Sequence, residues 1–115
     1  MDSKELLKII YNALDDKKAH DIRIIDIHEV STMGDYFVVA DGSNRNQVQA
    51  LCDSVEESMH KAKAKLKNRE GYANGGWILL DYYDIIVHIF VEEERSFYDL
   101  EHVWRDGIII SSGDL

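Results

Sequence analysis

The chain has no proline and one cysteine, Cys52, in 115 residues. Without proline there is no polyproline segment or stiff proline linker to divide it. A lone cysteine excludes an intrachain disulfide, and its place among apolar helical positions reads as buried filler rather than a nucleophile. No apolar run is long enough to cross a bilayer, and the N-terminus lacks an apolar signal core. Bases are also scarce. The 13 Lys and Arg face 22 Asp and Glu, for a formal net charge of -9. That balance disfavours a direct grip on a nucleic-acid backbone, which relies on Lys and Arg. Together these absences suggest one domain in a reducing, cytoplasmic or organelle-matrix-like compartment.

The stretch from Trp77 to Phe90 is the richest in information. It reads WILLD, Tyr82-Tyr83, then DIIVHIF, the pattern of a β-hairpin around a two-residue turn. In that register Asp81 pairs with Asp84, Leu79 with Ile86 and Trp77 with His88. One face of the hairpin holds Ile78, Leu80, Ile85, Val87 and Ile89, all apolar, and must be core. The other holds Trp77, Leu79, His88 and Phe90 beside the two carboxylates. Aromatic anchors with a polar rim suit a docking surface. Charge points to the same third of the chain. Residues 77–115 contain nine acids against Arg95 and Arg105, for -7, while the first 76 residues carry -2. Such a region attracts a basic partner, although an acidic surface also serves solubility alone.

The remaining pattern is α-β-β-α-β-β-α. A first helix starts with Ser3 as N-cap, buries Leu6, Ile9, Ile10, Ala13 and Leu14, and closes at Lys17-Lys18. Strands follow at Ile22–Ile27 and Tyr36–Ala40, with a turn at Met33-Gly34-Asp35. A long helix carries the stripe Val48, Leu51, Cys52, Val55, Met59, Ala62 and Leu66. Lys61, Lys63, Lys65, Lys67 and Arg69 read as its solvated C-terminal end. Asn68 to Gly76 reads as a mobile loop rich in Gly and Asn. A third helix follows Ser96, with Phe97, Leu100 and Trp104 on one side and Tyr98 and Glu101 elsewhere. Residues 1–107 form the domain; residues 108–115 are a tail, either a short edge strand or disordered. The fold class is α+β, a mixed sheet of four or five strands packed by helices.

Catalytic patterns are weak. Gly42-Ser43 ends a strand and opens a helix, and Asp81 ends a later strand, an arrangement similar to nucleotidyltransferases, where a Gly-Ser turn cradles phosphate and strand aspartates hold Mg²⁺. Here Asp81 and Asp84 are separated by a turn, and no third strand aspartate completes a two-metal site. Ser43 and His88 are the least poor pair for a hydrolase, but no nucleophile elbow is present. No His/Cys cluster has metal-ligand spacing. We therefore expect no catalytic residue, no metal and no cofactor, with a nucleotidyltransferase-type enzyme as the alternative.

Four segments in order, DIRIIDIHEV, GDYFVVADGSNRNQV, WILLDYYDIIVHIF and RSFYDLEHVW, resemble the Iojap-like ribosomal silencing factor family (RsfS type). The resemblance runs from Ile22 through Trp104. It implies a nucleotidyltransferase-like fold without transferase chemistry. It further implies a homodimer that binds the fourteenth protein of the large ribosomal subunit on the intersubunit face, blocks small-subunit joining and represses translation. Partner-facing positions would include Trp77, Asp81, Asp84, His88, Tyr98 and Glu101, with Leu79 on the same hairpin face. Family members commonly carry glycine where this chain has Tyr83, so the turn here is expected to be wider or of another type, which bears on where Asp84 lies.

Overall fold

A computed structural model describes residues 2–28, 34–93 and 108–110. The expected third helix, with Tyr98, Glu101 and Trp104, lies outside the described residues. Helix α1 spans Ser3–Asp16 and helix α2 spans Arg45–Lys61. The strands are β1 (His20–Asp26), β2 (Tyr36–Gly42), β3 (Asn68–Glu70), β4 (Trp77–Asp81), β5 (Ile85–Val91) and β6 (Ile108–Ile110). They make one six-stranded sheet in the order β3-β4-β5-β2-β1-β6. The β2–β5 pair is parallel and the other pairs are antiparallel. This is the expected α+β mixed sheet, widened by two three-residue edge strands. β6, at the start of the tail, pairs with β1 and settles the tail's first residues as an edge strand.

Local chemistry sets the helix limits. Asp2, not Ser3, caps α1, its Oδ1 accepting the Glu5 N–H at 2.9 Å. Asn44 caps α2 by accepting the Gln47 N–H at 2.8 Å. The stripe Val48, Leu51, Cys52, Val55 and Met59 is fully buried, but α2 stops seven residues short of Arg69's neighbour Asn68. Lys63 turns into the left-handed region at φ +63°, and the Ala64 N–H returns to the Met59 carbonyl at 2.9 Å. Lys63, Lys65 and Lys67 therefore follow the helix rather than end it, and Leu66 is only partly buried there. Their alternation with Ala64 and Leu66 is an extended period, which leads into β3.

α1 and α2 pack together on one sheet face. Between them and the sheet lie Leu7, Ile10, Leu14, Val38, Ala40, Leu51, Val55, Ile78, Leu80, Val87 and Ile89. A second cluster occupies the opposite face: Ile25, Ile27, Phe37, Val39, Ile86 and Phe90, with Trp77 and Leu79 packed against it. Both faces of the central strands are thus largely apolar, and every residue of β5 is buried.

The hairpin register differs from the expected one. Asp81 pairs with Ile86, Leu79 with His88 and Trp77 with Phe90. The connection is three residues, Tyr82-Tyr83-Asp84, instead of two. Because the shift is two residues, each side chain keeps its face; a one-residue slip would have exchanged them. Within this connection Tyr83 lies at φ +73°, a conformation that hairpin turns ordinarily give to Gly or Asn.

Candidate functional site

β4 lies one strand in from the sheet edge and alternates strictly. Ile78 and Leu80 are buried toward the helices, while Trp77, Leu79 and Asp81 are partly exposed on the other face. Trp77 stacks on Phe90, with ring centroids 5.2 Å apart and planes 23° apart. Its Nε1–H donates to His88 Nδ1 at 3.1 Å. The Phe37 ring meets His88 edge-on at 5.0 Å. Such ring pairs contribute about 0.5–1.5 kcal/mol each beyond the area they bury. They hold the indole in one orientation, and Trp77 remains partly exposed.

His88 is only 3% exposed. The expectation that its imidazole meets a partner directly is therefore corrected: it supports Trp77 from beneath. Burial pushes its pKa down to about 4, so the ring is neutral near pH 7. With Nδ1 accepting the indole N–H, the ring proton resides on Nε2.

The loop before Trp77 was expected to be mobile. Instead, one face of α2 ties it down. Arg45 donates to the Asn74 carbonyl and Oδ1 at 2.9 and 2.7 Å, and Gln49 Nε2 donates to the Tyr72 carbonyl at 2.7 Å. The Tyr72 hydroxyl donates to Asp53 Oδ2 at 3.1 Å. Gly71 permits the close return of the chain: it lies at φ +83°, and a Cβ there would sit 2.1 Å from the Trp77 carbonyl oxygen. These polar residues of α2 were missed from sequence. Their spacing at 45, 49 and 53 was a visible signal of a single helix face.

At the other end of β4, Asp81 shapes the turn. Its Oδ1 accepts the Tyr83 N–H at 2.8 Å. Asp84 is exposed, and its carbonyl accepts from the Asp35 and Tyr36 N–H groups at 2.8 and 3.0 Å. Trp77, Leu79, Asp81 and Asp84 thus run along β4 into the turn. Tyr98 and Glu101 lie outside the described residues.

The features that resembled a nucleotidyltransferase do not meet. Asp81 is level with Ile86 and Phe37, whereas Gly42 is level with Val91 at the far end of β2. Five residues of strand, roughly 16 Å, separate them. At Gly42-Ser43 the Ser43 N–H is taken by Gln47 Oε1 at 2.6 Å. Ser43 and His88 do not form a hydrolase pair either, since His88 Nδ1 is engaged by Trp77. One group with ligand-type atoms close together is Cys52, Asp53 and Glu56. Asp53 already receives Tyr72, Glu56 receives Arg69 at 3.0 Å, and burial, with Glu56 and Asp53 nearby, pushes the Cys52 thiol up to about 12. These groups serve the fold. Among the described residues no helix is long and apolar enough to cross a membrane.

Comparison with known proteins identifies what this architecture belongs to. Residues 1–114 match the family described as ribosomal silencing factor during starvation, RsfS. The chain is 38% identical over 106 residues to the ribosomal silencing factor RsfS of Bacillus subtilis, covering 92% of this chain and 90% of that protein. It is 28% identical over 95 residues to the chloroplastic protein Iojap of Arabidopsis thaliana, covering 83% of this chain and 40% of that one. A crystal structure of a Chromobacterium violaceum protein superposes with a TM-score of 0.89 at 32% identity, covering 91% of this chain and 88% of that one. The matched family and the Bacillus subtilis relative carry the name of a ribosomal silencing factor, not of an enzyme. The α+β sheet, the hairpin with two unlike faces and the match along the whole chain agree: this protein is a member of the RsfS/Iojap family of ribosomal silencing factors.

Proposed function

We propose that the protein represses translation by steric exclusion: it binds the large ribosomal subunit and prevents the small subunit from joining. The observation that carries this reading is the partly exposed Trp77, whose indole is held by Phe90 and His88 at the margin of a buried cluster. A pre-oriented aromatic that needs no ordering on contact is a strong anchor. The partner is the fourteenth protein of the large subunit, on its intersubunit face. Trp77, Leu79, Asp81 and Asp84 form the described part of the contact, and Tyr98 and Glu101 complete it. His88 acts by holding Trp77.

Charge supports a basic protein partner. Residues 77–115 carry a net -7, which favours encounter with a positive surface and disfavours direct, sequence-specific contact with RNA. No bond is made or broken, so the active quantity is affinity for one surface. The working form is a cytoplasmic homodimer.

Sucrose-gradient sedimentation of purified subunits tests this reading. Rising protein should leave large and small subunits separate under conditions where they otherwise join. Unchanged joining at saturating protein would overturn it. Trp77→Ala should weaken binding to large subunits by about 2 kcal/mol or more, roughly thirtyfold, while circular dichroism remains that of the folded chain. If Trp77→Ala unfolds the domain, the indole is core and the surface assignment is wrong.

A further inference from the structure

The turn between β4 and β5 contains a conflict between backbone and side chain. Tyr83 lies at φ +73°, where a Cβ crowds the backbone and glycine is the relaxed choice. The Asp84 N–H donates to the Tyr82 carbonyl at 3.0 Å. With that φ, this is the strained, positive-φ form of the γ-turn. Neighbouring bonds keep it from relaxing. The Tyr83 N–H is held by Asp81 Oδ1 at 2.8 Å, and the Tyr82 N–H by the Ile85 carbonyl at 2.9 Å. The Asp84 carbonyl is held by two N–H groups of the β2 entry.

The ring gives the core little in return. Tyr83 is 48% exposed, and among the described residues it is the exposed large apolar side chain. The Lys67 ammonium lies 5.7 Å from its centroid, a distance at the outer limit of a cation–π contact and in a solvated setting where such contacts are weak. Strain that a residue without a side chain would relieve, retained to present an aromatic ring to solvent, belongs to contact sites more often than to scaffolds. Asp81 and Asp84 flank the ring in sequence, so the tip combines a π face with two carboxylates. That combination fits an arginine, whose planar cation stacks on a tyrosine while its N–H groups reach carboxylates. The same carboxylates repel a phosphate backbone.

We propose that Tyr83 is a second aromatic anchor of the ribosome-facing surface, at the opposite end of β4 from Trp77, and that it stacks on an arginine of the basic ribosomal protein. This rests on the ribosome-binding reading above and extends it to a residue outside that reading.

Cosedimentation with purified large subunits, paired with thermal melting, tests it. Tyr83→Gly should raise the melting temperature and weaken binding about tenfold. Tyr83→Ala keeps a Cβ at the strained position but loses the ring, and should weaken binding to the same degree. Tyr83→Phe should bind within about threefold of the wild-type chain, because stacking survives without the hydroxyl. Wild-type affinity in Tyr83→Ala, or a lower melting temperature in Tyr83→Gly, would overturn the proposal. So would loss of binding in Tyr83→Gly alone, which would implicate turn flexibility instead. Tyr83-dependent binding to protein-free ribosomal RNA would refute the arginine assignment. A chain that fails to cosediment at all overturns the ribosome-binding reading with it. A chain that binds, is weakened by Trp77→Ala and is indifferent to Tyr83→Ala overturns this proposal alone.

Discussion

The two faces of the β4–β5 hairpin obey different rules. Toward α1 and α2, Ile78, Leu80, Ile85, Val87 and Ile89 are aliphatic and at most 1% exposed. On the other face exposure depends on the strand. Ile86, His88 and Phe90 of β5 are buried, whereas Trp77, Leu79 and Asp81 of β4 are partly exposed. A central strand is enclosed on both sides, while its neighbour one step from the edge keeps one open margin. The mixed face is therefore a buried cluster with an accessible border, not a flat docking surface. That is why a buried imidazole and a partly exposed indole sit 3.1 Å apart with different tasks.

The largest effect should come from breaking the aliphatic side. Leu80→Ala deletes a fully buried side chain and should cost about 3 kcal/mol, lowering the melting temperature by on the order of 10 °C. The fraction that remains folded should bind large subunits as the wild type does. This is the reverse of Trp77→Ala, which spares stability relative to binding. Equal losses of both in the two variants would erase the distinction between the faces.

Acid should act on the other face. Burial holds the His88 pKa at about 4, below its ordinary value of 6.5. A depressed histidine binds its proton less readily when folded, so its contribution is full above pH 6.5. It is lost progressively as pH falls toward 4, where the folded ring also titrates. The gap corresponds to roughly 3 kcal/mol at its limit. Protonation of Nδ1 also removes the acceptor for the Trp77 indole. Urea unfolding at a series of pH values should show this slope in the wild-type chain and a shallower one in His88→Gln, which retains an acceptor but does not titrate. Identical slopes would place the acid sensitivity elsewhere.

Much of this was legible in the residues. The alternation assigned the side chains of residues 77–81 and 85–90 to their correct faces, and the Val48–Met59 stripe identified the buried side of α2. Parity survived because the register error was even. The register itself was not legible, since it depends on a turn in which Tyr83 adopts a conformation its Cβ disfavours, held by bonds from Asp35 and Tyr36 far away in sequence. The lysine run was misread because helical momentum from α2 obscured a plain two-residue period. The burial of His88 could not be read from β5 alone. A strand's second face is sealed or open according to its place in the sheet, which is a property of strand order. The ties from Arg45, Gln49 and Asp53 to the loop before Trp77 are polar contacts across 19 to 29 residues, and polar side chains on a helix announce no particular partner.

The smallest expected effect sharpens the comparison between the border and its support. Gln49 donates to the Tyr72 carbonyl at 2.7 Å in a partly buried setting, and Gly76 at the end of that loop accepts the Val91 N–H at 2.9 Å. Gln49→Ala removes the first bond and leaves the second. The stability loss should be about 1 kcal/mol, the usual worth of one such bond. If the loop positions Trp77, the variant should exchange its amide protons faster between Tyr72 and Gly76 while those of β5 stay protected. Binding to large subunits should weaken by no more than a few-fold, because Phe90 and His88 still hold the indole. Faster exchange that reaches β5 would mean that Gln49 supports the sheet as a whole. Unchanged exchange would leave the aromatic stack as sufficient support for Trp77, and the tether from α2 without a part in presenting it.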